Sequence, residues 1–128
     1  MSLANDGTRA AEATEGVIKF SAEHRARDLE AERYGALACR LIAWREILAK
    51  TQLVGQDPAR YEGAGYGNVS GRVGAPSAPR GRRSFLITGT QTGGKACLGL
   101  FDLCVVDSYD DRLNRVTSQG RILPSSES

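Results

Sequence analysis

In Ser84-Phe85-Leu86-Ile87-Thr88-Gly89-Thr90-Gln91-Thr92-Gly93 a short apolar run breaks straight into a turn of Gly, Thr and Gln. β-branched and aromatic residues fit a pleated, half-buried surface, so a strand over 84–88 ending in a small-residue turn is expected. Upstream, Gly74 to Arg83 is a loop of Pro, Gly and Arg. Before that loop, Tyr66-Gly67-Asn68-Val69-Ser70-Gly71-Arg72-Val73 sets Asn68, Ser70 and Arg72 against Val69, Gly71 and Val73, the period of a strand with one polar face. Downstream, Leu98 to Phe101 reads as a single helical turn and Leu103-Cys104-Val105-Val106-Asp107 as a buried strand. Asp110-Asp111 makes a turn, and Arg115-Val116-Thr117-Ser118 returns as the second arm of a hairpin.

Working back to the N-terminus, Leu29, Tyr34, Leu37, Ala38, Leu41, Ile42, Trp44, Ile47 and Leu48 recur at spacings of three and four, a wide helical stripe. One or two amphipathic helices are expected over about residues 25 to 53. Ser21, Glu23 and His24 supply the start, and Gly55 with Asp57-Pro58 the stop. The whole stripe, Trp44 included, reads as core. Gly16-Val17-Ile18-Lys19-Phe20 is a candidate short strand, residues 1–14 a loose tail, and residues 15–128 one domain.

Composition narrows the function. Of 128 residues, 41% are hydrophobic and 25% charged, the balance of a soluble globular domain with one core. A net charge of +2 and 6% aromatics argue against a nucleic-acid surface, so Arg72, Arg80, Arg82 and Arg83 read as a solvated basic loop. No apolar run approaches a membrane span. Cys39, Cys97 and Cys104 are odd in number, with no Cys-x-x-Cys pair and no signal-peptide pattern, which favours the reducing cytoplasm. Cys39 and Cys104 read as small buried hydrophobes. His24 is the single histidine and reads as a solvated surface residue; by itself it builds no metal site.

Three segments carry the chemistry: Gly67-Asn68-Val69-Ser70, Thr88-Gly89-Thr90-Gln91-Thr92-Gly93, and Arg121-Ile122-Leu123-Pro124-Ser125-Ser126-Glu127-Ser128. Each is a small-residue turn rich in hydroxyls and unshielded backbone N–H groups. Such groups aim several partial positive charges at one phosphate with little steric cost. Glu127 would sit beside that phosphate as a proton carrier. Taken singly, each segment is also ordinary turn or helix-capping vocabulary.

In this order the three segments resemble the N-terminal half of the class II aldolase/adducin family over about residues 35 to 128. The resemblance implies an α/β/α layered fold around a largely antiparallel central sheet. It further implies a metal-dependent aldolase or epimerase acting on small sugar phosphates. Gly67, Asn68, Ser125 and Ser126 match the family's phosphate-holding positions, together with a Thr-Gly pair. That pair matches either Thr92-Gly93 or the earlier Thr88-Gly89-Thr90. Glu127 matches the catalytic carboxylate, and a divalent metal, usually Zn2+, stabilises the enediolate oxygens.

The departure from the pattern is as informative. The family places a His-x-His pair after Pro-Ser-Ser-Glu and a third histidine further on, and this sequence carries only His24. A truncated form of the fold, inactive alone and holding no metal by itself, is therefore expected, with a native reading frame running on past Ser128. The alternative is a non-catalytic, adducin-like binding or assembly module. Either way, a missing half-sheet predicts a homo-oligomer or self-association through an uncovered sheet edge.

Overall fold

The computed structural model describes residues 20–126. Residues 16–19 of the candidate first strand, the expected tail and Glu127 lie outside them. Over the described residues the architecture is mixed α/β: one long helix packed on a mostly antiparallel five-stranded sheet. The strands are β1 (Ser21–Ala26), β4 (Ser70–Arg72), β5 (Phe85–Thr88), β6 (Leu103–Asp110) and β7 (Arg115–Gly120), in the order β1-β7-β6-β5-β4. Among the described strands of this sheet β1 alone pairs in parallel, with β7, and the other pairings are antiparallel. A separate two-stranded ribbon joins β2 (Gly55–Gln56) to β3 (Gly65–Tyr66).

Strands β5 and β6 form where the apolar runs predict them. Their alternate residues divide between two faces. Leu86, Leu103 and Val105 pack under the helix with Leu29, Tyr34, Ala38 and Leu41. On the opposite face Ile87, Val106 and Val116 form a second cluster, joined by Phe20 and Phe85. Cys104 is fully buried, as its place in the apolar run requires. The expected helical turn near residue 100 is a 3-10 turn over Leu100–Asp102.

The helix α1 spans Ala31–Lys50, so it starts later and stops earlier than the expected range of about 25 to 53. Its first carbonyl comes from Glu30, which accepts from the Tyr34 amide at 2.9 Å. Residues 21–26 are strand instead of helix start, because the backbone is claimed by a six-residue parallel ladder with β7. At the far end Gln52 adopts φ +61, which no helix tolerates, so the chain leaves α1 before Gly55 and Pro58 are reached. The Thr51 hydroxyl closes the last turn by donating to the carbonyls of Ile47 and Leu48.

The buried face of α1 is narrower than its apolar stripe. Tyr34, Ala38, Leu41 and Arg45 face inward, whereas Trp44 and Ile47 are 58% and 52% exposed. Cys39 is exposed as well, against the expectation of a buried hydrophobe. A fourth inward position taken by arginine has a physical reason, given by what that arginine binds.

Candidate functional site

Three chain segments converge at one end of the sheet. Where β5 ends, the turn over 89–93 is tied at its start by two bonds: the Gly89 amide donates to Asp102 and the Thr90 amide to Leu123. The second of these, with a bridge between Gly89 and Pro124, lays the C-terminal segment beside the turn. Arg121 anchors that segment from the other side through a two-pronged ion pair with Asp28, stacked over the Phe101 ring at 3.7 Å. The β2–β3 ribbon brings up the third segment, with Gly67 one residue beyond its end.

Between them lies a cavity of about 670 Å³, within the size range of small-molecule sites. Gly67, Thr92, Gly93, Ser125 and Ser126 all line it, as do Gly89, Thr90 and Gln91. Five of the expected phosphate-holding residues thus share one wall system. Asn68 does not line the cavity; it is half-buried one residue further on. Of the two matching Thr-Gly segments, both residues of Thr92-Gly93 line the cavity, the Thr92 hydroxyl donating to the Gly89 carbonyl at 3.0 Å, while of Thr88-Gly89-Thr90 only Gly89 and Thr90 do. The Thr88 hydroxyl is turned away, accepting from the Val69 amide at 3.2 Å where β4 meets β5.

The turn is held from behind by Arg45. Its guanidinium, in a residue only 5% exposed, donates to the carbonyl oxygens of Thr92 (3.1 Å), Gly93 (3.2 Å) and Lys95 (2.7 Å). In a trans peptide the C=O and N–H point in opposite directions. With those carbonyls turned to Arg45, the amides of Gly93 and Gly94 point away from it. Sequence reasoning missed this residue, although an arginine one turn beyond Leu41, in register with Tyr34 and Ala38, is its visible signal.

Glycine is required at two wall positions. A Cβ at Gly93 would collide with the Gly55 carbonyl oxygen, so the turn meets the ribbon backbone to backbone. Gly67 has φ +77, and a Cβ there would lie 2.6 Å from Val54. The opposite wall is aromatic and was also missed. Tyr61 and Tyr66 stand with ring centroids 5.2 Å apart, and Arg60 lies over the Tyr66 ring at 4.7 Å. Tyr61 and Glu62 both take positive φ, a conformation that costs non-glycine residues free energy. Glu62 is the carboxylate among the described lining residues; no lysine or arginine is among them.

A metal is another matter. Zinc sites take three or four His, Cys or carboxylate ligands, and no group of three lies together among the described residues. His24 is not the solvated residue its neighbours suggest. It lies half-buried on β1, with Nδ1 2.9 Å from the Ser118 hydroxyl and Nε2 2.9 Å from the Gly120 carbonyl oxygen. Both ring nitrogens are thus committed to β7. The described residues do not fit a metal.

Fold and site together define a mixed α/β chain with a cavity at the end of its sheet, lined by threonine and serine, glycine, tyrosine and the Glu62 carboxylate, without cationic side chains. No protein-family model, no curated protein and no solved structure matches the chain. Among the described residues no helix is long and apolar enough to cross a membrane.

Proposed function

We propose that the chain is a phosphate-binding unit of the class II aldolase/adducin type. Its cavity would clamp the phosphate of a small phosphorylated sugar through amides of the Gly67 and Thr92-Gly93 segments and amides and hydroxyls of Ser125-Ser126. The observation that supports this reading is the convergence of those three segments, distant in sequence, on one cavity. A cavity without cationic side chains suits a clamp made of dipoles, which act at contact range and are screened by salt less than exposed charges. On the same reading the chain alone does not turn over substrate, because the ligands for a Zn2+ ion are not assembled among the described residues. The test is an assay with zinc, dihydroxyacetone phosphate and an aldehyde. Background rates are expected, and turnover well above them would contradict the reading.

The second reading is an adducin-like assembly module, with no substrate. It is favoured by the apolar surface that α1 and the following turn leave open: Trp44, Ile47 and Leu53, the last 65% exposed. Size-exclusion chromatography with light scattering separates the two. A stable monomer at high concentration removes the support for assembly, and self-association that Trp44→Ser abolishes supports it.

A further inference from the structure

At the other end of the same strands lies a second cavity, of about 460 Å³, lined by Arg72, Arg80, Arg83, Phe85, Val106 and Tyr109 among others. Register explains its floor. Arg72 of β4 pairs with Phe85 of β5, which pairs with Val106 of β6. Directly paired residues present their side chains on one face, so an arginine, a phenylalanine and a valine form a row across three strands. This is the face opposite α1, where Phe85 packs against Val106.

The other two arginines come from the loop between β4 and β5, which is pinned in several places. The Tyr109 amide donates to the Gly81 carbonyl at 2.8 Å, hooking the loop onto β6. The Val73 amide donates to Ser84 at 3.0 Å and closes the loop's base. Arg83 Nε donates to the Ala78 carbonyl at 2.9 Å, fixing the guanidinium plane while its two terminal nitrogens stay available. Among the described residues no carboxylate lies within salt-bridge distance of any of the three arginines. Three cations around one cavity repel one another, and an apolar floor strengthens that repulsion by lowering the local dielectric. An oxyanion relieves it, and the planar guanidinium fork matches phosphate and carboxylate geometry.

We propose that Arg72, Arg80 and Arg83 form a second anion site, for a small multivalent oxyanion. The proposal is independent of the phosphate clamp at the opposite end of the sheet. The two differ in kind: this site attracts by exposed charge and weakens with salt, whereas the clamp uses neutral donors.

The test follows the side-chain Nε–Hε and backbone N–H resonances of the labelled chain during titration with pyrophosphate and, separately, citrate, at constant ionic strength. Saturable shifts of the Arg72, Arg80 and Arg83 side chains are expected with at least one probe, and the probe that binds tells phosphate from carboxylate. Raising salt from about 20 to about 200 mM should weaken binding several-fold. The double variant Arg72→Gln with Arg80→Gln should weaken it about 10-fold or more. Arg40→Gln, on the exposed side of α1, removes one positive charge away from the cavity and should change it less than about 2-fold. Non-saturating shifts with both probes, indifference to salt, or an equal effect of Arg40→Gln would overturn the proposal. Shifts at Gly67 and Gly93 report the clamp separately, so either site can fail alone.

Discussion

Arg45 Nη2 donates to the carbonyl oxygen of Thr92 at 3.1 Å, so a charged side chain buried in α1 sets the direction of a peptide group in the cavity wall. The same guanidinium takes two further carbonyls of that turn and meets no carboxylate at salt-bridge distance among the described residues. A buried charge is costly unless its hydrogen bonds are met, and here peptide dipoles meet them. Helix, turn and cavity are thereby one mechanical unit.

Replacing Arg45 with methionine keeps much of the volume and removes all three donors. Three carbonyls would lose a charged partner, each such hydrogen bond being worth about 1.5–3 kcal/mol before water re-enters. A net loss of roughly 2–4 kcal/mol in urea unfolding is expected, together with movement of the Gly93 and Gly94 amide resonances. A loss below about 0.5 kcal/mol would mean that the turn holds its shape without the guanidinium.

Two glycine substitutions should act in opposite directions. Gly93→Ala forces a methyl against the Gly55 carbonyl, backbone that cannot swing aside, and should cost about 2 kcal/mol or more while distorting the cavity. Gly35 lies inside α1 with nothing within 4 Å of a Cβ placed there. Gly35→Ala should therefore stabilise by about 0.5–1 kcal/mol through helix propensity alone. Thermal melts of both variants check the pair, and a stabilising Gly93→Ala would remove the backbone contact from the account.

The elements legible in the sequence are those whose own side chains decide them. Apolar runs at 84–88 and 103–107 could satisfy their burial only inside a sheet, and the Asp110-Asp111 turn fixed the return arm. Residues 21–26 were misread because Ser-Ala-Glu-His-Arg-Ala has no strand signal of its own; its pairing with β7 joins residues more than 90 positions apart. The β2–β3 ribbon, two residues per strand, is too short for any period to show. At the site, the glycines and hydroxyls of the three loops were visible as turn chemistry. Arg45 was not, because a stripe of apolar spacing hides which polar residue within it faces inward. Trp44, one position away, took the place in the expected core that the arginine holds.

Acid should loosen the same turn from its far side. Asp102 accepts from the Gly99 amide at 2.8 Å and pairs with Lys95. Burial pushes its carboxyl up, but the Lys95 hydrogen bond, the Gly99 amide and nearby positive charge outweigh this and hold it below the ordinary 3.8. A depressed carboxyl stabilises the fold fully above its unfolded value and loses that contribution as pH falls through the folded one. Wild type should therefore exceed Asp102→Asn in melting temperature at pH 6, and the difference should shrink below pH about 3.8. A difference that does not change with pH would contradict the assignment.

Thiol chemistry gives an independent check of the core. Cys39 and Cys97 are exposed, whereas burial pushes the Cys104 thiol up to about 12 and β7 covers it. At pH 8 an excess of a thiol-reactive disulfide should label Cys39 and Cys97 in the native protein, and Cys104 only after denaturant is added. Mass spectrometry of the digested protein reads the sites. Rapid native labelling of Cys104 would place β6 nearer the surface than described.

Whether the three loops make one phosphate clamp is tested most directly by an amide-resolved titration with inorganic phosphate at about 0.15 M salt. Saturable shifts at Gly67, Gly93, Ser125 and Ser126 together, persisting when Arg72 and Arg80 are changed to glutamine, are the predicted result. Shifts confined to the Arg80–Arg83 loop, with the cavity amides unmoved at saturating phosphate, would contradict it.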